Sequence, residues 1–211
     1  MRTYAVSELV KEVKVLLDRN QESAGLLTPG DTDTLSQGEL IQSKIVEAAR
    51  IILKDAPASM LDGKTFNELN TAWAESNGSY VGTVYMPSDM IRLLNVKASD
   101  WNRSAEIITE EDDAYKIQCN RFGVRGNPER PIAALIHNSG NRYLELFTSK
   151  SNTATVSLTY VGMPSIREGN IDLPETLKDS IVYMAGYLTC ISLGDTDTAS
   201  GFLGVARKLA H

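Results

Sequence analysis

Leu9, Val13 and Leu16 share one helical face, with Val10 and Leu17 beside them and Lys11, Glu12, Lys14 and Asp18 opposite. That spacing predicts an amphipathic helix of about three turns, with Ser7 as its N-cap. Gly25, Pro29 and Gly30 then mark a loop. Ser36-Gln37-Gly38-Glu39 has the form of a capping box, in which the serine hydroxyl caps a free N–H and the glutamate reaches back. Ile41, Ile45, Ala48 and Ile52 follow at helical spacing, and Pro57 ends the run. Val46, Ala49 and Leu53 extend the apolar surface around the side, which predicts a helix touching two neighbours.

After Asp62-Gly63 the apolar period shortens toward two. Ser79 to Tyr85, Met90 to Lys97 and Ala105 to Ile108 read as strands, with a turn at Met86-Pro87-Ser88-Asp89. Thr109-Glu110-Glu111-Asp112 opens a short helix reaching about Gln118. Gly123, Gly126, Pro128 and Pro131 punctuate an exposed loop. Ile132 to His137 and Arg142 to Thr148 read as a hairpin around Asn138-Ser139-Gly140-Asn141. Thr155 to Val161, rich in β-branched residues, reads as the last strand. Leu173-Pro174-Glu175 opens a helix with Ile181, Met184, Leu188 and Ile191 on one face, running to Leu193. A final helix is expected from Thr198 to Ala210.

The order is therefore helix, helix, roughly five or six strands, helix, helix. Neither helical pair can bury its apolar face alone, so the two should pack together with the β segment inserted between them. The expected fold class is α+β: a helical bundle from the N- and C-terminal helices with an inserted antiparallel β module, sandwich- or barrel-like. The expected domains are 1–62 and 171–211 as halves of the helical body. The β module is placed at 63–170, with its short helix near 110–118.

Composition narrows the function. Of 211 residues, 42% are hydrophobic and 23% charged, which fits a globular chain and not a disordered one. The net charge of −6 argues against a nucleic-acid binder. Cys119 and Cys190 lie far apart and are expected as buried free thiols in a reducing cytoplasm. Met1-Arg2-Thr3-Tyr4 lacks a signal-peptide apolar run, and Ile181–Leu193 is too short to span a bilayer.

Candidate chemistry is sparse. His137 and His211 are the two histidines, and no G-x-S-x-G, H-E-x-x-H, Walker A or G-x-G-x-x-G pattern is present. No catalytic residue, cofactor or metal is expected. Gly30-Asp31-Thr32-Asp33-Thr34 recurs as Gly194-Asp195-Thr196-Asp197-Thr198, and each copy reads as turn and N-cap chemistry, lacking the ligand set of a calcium loop. Glu110-Glu111-Asp112-Asp113 reads as helix-start chemistry favoured by the helix dipole. Arg121, Arg125, Asn127 and Arg130 lie in the Gly/Pro loop; partner contact is the leading reading, with a solvated loop and phosphate contact as alternatives. Trp101 is expected in the β core.

A longer order of residues carries a resemblance. It runs Met86-Pro87-Ser88-Asp89-Met90-Ile91-Arg92-Leu93, Asp100-Trp101-Asn102-Arg103, Glu110-Glu111-Asp112-Asp113-Ala114-Tyr115, Arg125-Gly126-Asn127-Pro128-Glu129-Arg130-Pro131 and Tyr143-Leu144-Glu145-Leu146-Phe147, with Leu173-Pro174-Glu175 after it. It resembles the neck adaptor, or head-to-tail connector ring, proteins of podoviruses, especially crAss-like phages of Bacteroides. It is distantly similar to the tail tubular protein A family of T7-like phages. The resemblance implies a non-enzymatic virion protein of the neck, made in the host cytoplasm and associated with no membrane. It implies a homo-oligomeric ring, commonly of twelve, under the portal protein and beside other neck and tail proteins, with genomic DNA passing transiently through the lumen during ejection. The alternatives are a carbohydrate- or ligand-binding β-sandwich module of a tail, with an aromatic platform near Trp101 or Tyr143, and a hydrolase of unmarked type using His137.

Overall fold

The computed structural model describes residues 1–17, 36–69, 71–120, 125–138 and 140–211. The loop at Gly25, Pro29 and Gly30, the Gly30–Thr34 copy of the repeated pentapeptide, and Arg121 lie outside those residues. Among the described residues the chain is mixed α+β, with five α-helices and three sheets. It divides into two compact units: residues 1–62 with 163–211, and residues 63–162.

The first unit holds β1 (Arg2–Ala5), α1 (Val6–Leu16), α2 (Gln37–Asp55), β10 (Ile166–Arg167), β11 (Asn170–Leu173), α4 (Lys178–Ser192) and α5 (Thr196–Leu209). Helix α1 begins at Val6 with Ala5, not Ser7, at its N-cap, and no side chain caps it. The start is instead fixed by pairing: Val6 N–H donates to Gly169 O at 2.9 Å, and β1 runs antiparallel to β11. Sequence reading missed both strands, because four residues beside a helix carry too little period to register. Pairing with β1 also puts residues 163–170 in this unit, not in the β module where their Pro and Gly punctuation had placed them.

Helix α2 starts with the complete capping box: Ser36 Oγ accepts from Glu39 N at 3.3 Å and Glu39 Oε2 accepts from Ser36 N at 2.7 Å. It buries Ile41, Ile45, Ala48, Ala49, Ile52 and Leu53, and packs against both α1 and α4. In α4 the buried residues are Ser180, Ile181, Val182, Met184, Ala185, Gly186, Thr189 and Cys190, while Ile191 is exposed. The buried stripe is thus rotated from the Ile181–Ile191 face, because α4 packs against three helices at once. Ser180 Oγ donates to Ala206 O at 2.8 Å and ties α4 to α5. Phe202 packs over Gly186, where even an added Cβ would make only an ordinary contact with the ring at 3.6 Å. Lys178 Nζ meets Glu12 Oε1 at 2.6 Å and ties α4 to α1.

The second unit holds β2 (Lys64–Leu69), β3 (Ala72–Ser76), β4 (Ser79–Tyr85), β5 (Met90–Ala98), β6 (Glu106–Thr109), α3 (Asp113–Cys119), β7 (Ile132–Asn138), β8 (Asn141–Ser149) and β9 (Val156–Gly162). One sheet has the order β2-β9-β5 and the other β3-β4-β8-β7-β6. The module is not purely antiparallel: β6 runs parallel to β7, with Glu106 opposite Ile132 and Thr109 opposite Leu135. A parallel neighbour needs a crossover, and α3 with the loop after it supplies one. One hydrophobic cluster is shared by both sheets, drawing Val96, Leu158 and Tyr160 from the first and Val84, Leu144 and Leu146 from the second. Trp101 is buried in this cluster, its Nε1–H donating to Thr148 O at 2.9 Å.

Candidate interaction surface

The Gly/Pro loop is pinned before it is exposed. Gln118, at the end of α3, is buried; its side-chain oxygen accepts from Gly126 N at 2.7 Å, and Thr148 Oγ1 donates to Gly126 O at 2.7 Å. A Cβ on Gly126 would lie 2.6 Å from Phe147 O and 3.0 Å from Ile132 N, so only glycine passes there. Next to it Arg125 is half-buried, and its Nη1 donates to Ser76 Oγ on β3 at 2.7 Å. Its Nε is buried without a hydrogen-bond partner. Arg125 therefore turns inward and braces β3.

Asn127 and Arg130 form a tight turn, each backbone N–H donating to the other's carbonyl at 3.2 and 2.9 Å. Asn127 Oδ1 also accepts from Glu129 N and Arg130 N, both at 3.0 Å. The Asn127 side chain is thus used to hold the turn. Asn102 N donates to Pro128 O at 2.9 Å and anchors the turn to the segment after β5. Glu129 and Arg130 are exposed at the tip, and Arg103 is exposed on the anchoring segment. Among the described residues neither Arg103 nor Arg130 has an ion-pair partner.

The other candidates resolve into local structure. Asp112 Oδ2 accepts from Thr109 N at 2.7 Å and Thr109 Oγ1 at 3.0 Å, and these bonds hold its carboxyl below the usual range. Lys116 pairs with Asp113 at 2.7 Å. The acidic run therefore builds the entry to α3. Asp195 caps α5, its Oδ1 accepting from Thr198 N at 3.2 Å, and Gly194 turns the chain at φ +80°. His137 is exposed at the end of β7, and among the described residues no hydrogen bond joins it to a serine or cysteine side chain. Cys190 is buried, but Cys119 is exposed at the end of α3, because a seven-residue helix on a sheet covers only one of its own faces. Among the described residues no group of His, Cys, Asp or Glu is placed to hold a metal ion. No helix among them is long and apolar enough to cross a membrane.

Trp101 offers no platform, being 3% exposed. The exposed aromatic surface lies instead on the outer face of the five-stranded sheet. There β4 and β8 place Tyr85 opposite Tyr143 and Thr83 opposite Glu145. Tyr85 is 73% exposed, and its ring centroid is 6.4 Å from that of Tyr143. Tyr115 reaches down from α3, its hydroxyl donating to Glu145 Oε2 at 2.9 Å. Burial first, then the Cys119 and Glu145 side chains, raise the Tyr115 pKa, so the phenol keeps its proton and remains a donor. Sequence reading named Tyr143 and missed Tyr85. The signal was the alternation Val81, Thr83, Tyr85 on one face of a strand whose other face is Gly82 and Val84.

No protein-family model matches the chain, and no curated protein matches it.

Proposed function

We propose that this chain is a non-enzymatic virion protein, a subunit of a head-to-tail connector ring below the portal through which the genome passes. The reading is carried by the ordered residue pattern from Met86 to Phe147 followed by Leu173-Pro174-Glu175. The fold supports it in one respect. A unit built from both chain segments, 1–62 and 163–211, has a β unit inserted between them. In this reading the helices of both segments form a bundle that packs against neighbours around the axis. The β unit is a two-sheet sandwich that contacts adjacent rings. A net charge of −6 disfavours trapping of DNA in a lumen lined by acidic residues.

The partners are copies of itself, the portal protein and other neck proteins, with DNA as a transient occupant of the lumen and the virion neck as the location. Negative-stain microscopy of the purified chain, alone and mixed with portal, tests this. Annular particles, or annular density added to the portal, are the expected result. A chain that stays monomeric and leaves the portal unchanged rules the reading out.

A second reading has one observation in its favour. Exposed Tyr85 and half-buried Tyr143 form an aromatic pair on the same sheet face as a carboxylate, as a carbohydrate-binding tail module would need. Retention on immobilised glycans, lost in Tyr85→Ala, would favour it over the connector.

A further inference from the structure

Glu145 is half-buried, holds a hydrogen bond from Tyr115, and has no cation within ion-pair distance among the described residues. It lies one step along β8 from the Tyr85–Tyr143 pair, on the same face. An uncompensated carboxylate on the same sheet face as two phenol rings selects a flat cation. A guanidinium meets all three demands: it stacks on a ring, carries the opposite charge and presents a fork of N–H donors to a carboxylate.

The same unit presents such a group. The Asn127–Arg130 turn is held by four hydrogen bonds of its own and a fifth from Asn102, so the backbone that carries exposed Arg130 is pre-ordered and loses little freedom on docking. The turn precedes β7, whose first residue Ile132 pairs with Phe147, whereas Tyr143 pairs with Ile136 near the other end of that strand. Four residues of strand, about 13 Å, separate the two rows. Turn and tyrosine face therefore lie toward opposite ends of one sheet.

We infer that Arg130 of a second copy docks on the Tyr85, Tyr143 and Glu145 face, and that its turn is the knob of a head-to-tail contact. A knob and a socket on different parts of one chain make a heterologous contact, which closes into a ring or runs on as a filament. This contact rests on the self-association in the reading above, and it adds a contact between the β units of neighbouring copies to the helical packing around the axis.

The test is sedimentation velocity on the full chain over a concentration series, with far-UV circular dichroism as the folding control and negative-stain images of each sample. Glu145→Arg and Arg130→Glu should each weaken self-association by about 30-fold or more. The double variant carrying both changes should recover it, and Tyr85→Ala should weaken it without altering charge. Added salt should weaken the wild-type contact. Single variants that associate like wild type overturn the contact, as does a folded double variant no stronger than the singles. A wild-type chain that is monomeric at every concentration also overturns it. Glu145→Gln serves as the milder variant if Glu145→Arg does not fold. The images separate the two ideas. Annuli unaffected by Glu145→Arg overturn this contact and leave the ring reading intact. Charge-swap-sensitive association without annuli, with or without portal, supports the contact and overturns the ring.

Discussion

Asp89 is the residue on which the base of the β unit turns. It accepts from Lys64 Nζ at 3.0 Å and from the Tyr160 hydroxyl at 2.9 Å, and Phe66 stacks on Tyr160 at 5.6 Å. Burial opposes the Asp89 charge, but the bonds from Lys64 and Tyr160 and the Lys64 charge outweigh it and hold the carboxyl below its usual value of 3.8. Burial first, then the Asp89 bond and charge, push the Tyr160 phenol from 10.0 up to about 12. The signs follow from linkage. The Asp89 contribution is present above its ordinary value and is lost as pH falls through the lowered one. The Tyr160 contribution is present below 10.0 and is lost as pH rises toward 12. Thermal melts across pH should show both edges flatten in Asp89→Asn. The Asp89 and Lys64 side chains are 41% and 44% exposed, so the ion pair itself is worth well under about 1 kcal/mol. Asp89→Ala additionally leaves the buried Tyr160 hydroxyl unpaired and should cost about 2 kcal/mol by urea denaturation, against about 1 for Tyr160→Phe. None of this was legible in sequence, where Asp89 was simply the end of a Met-Pro-Ser-Asp turn. Lys64 and Tyr160 are 25 and 71 residues away from it.

At the scale of elements, local chemistry that the sequence spells out was readable, and contacts between distant segments were not. The Ser36 capping box was predicted because all of its parts lie within four residues; Ser36→Ala should cost about 1 kcal/mol, read from the urea midpoint. The strands β4, β5, β7, β8 and β9 were read to within about two residues because each holds a long period-two or β-branched run. β1, β2, β3, β10 and β11 were missed. β3 carries only intermediate and exposed residues, so no apolar alternation marks it. β6 was found, but its parallel direction was not, since direction is set by the path of α3 and the loop after it. Gly126 belongs to the same lesson. A loop glycine reads as flexibility in sequence, whereas here it is a close crossing over Phe147 and Ile132. Gly126→Ala should destabilise the β unit by about 1–3 kcal/mol, since the neighbours are backbone atoms that cannot yield as a side-chain end would.

For the whole molecule, the division into two units makes a direct prediction. The chain enters the β unit on β2 and leaves it on β9, and these strands are paired, with Lys64 opposite Tyr160. The two crossing points are therefore adjacent, and a short Gly/Ser linker spans them. Replacing residues 63–162 with such a linker should leave a cooperatively melting helical protein. Residues 63–162 alone should fold as a β protein, since they hold a hydrophobic cluster of their own. Loss of cooperative melting in both pieces would contradict independent units. The sequence by itself determined the helices, the strands that carry long apolar runs, and the residue pattern behind the connector proposal. Periodicity, caps and turn residues act over a few positions, and the chain carries them openly. Tertiary structure alone decided that β1 pairs with β11, that Arg125 turns inward while Arg130 faces out, and that Tyr85 and Glu145 share a face with Tyr143. Each of these depends on which distant segment supplies the missing hydrogen bonds or covers the apolar side, and no local pattern encodes that choice.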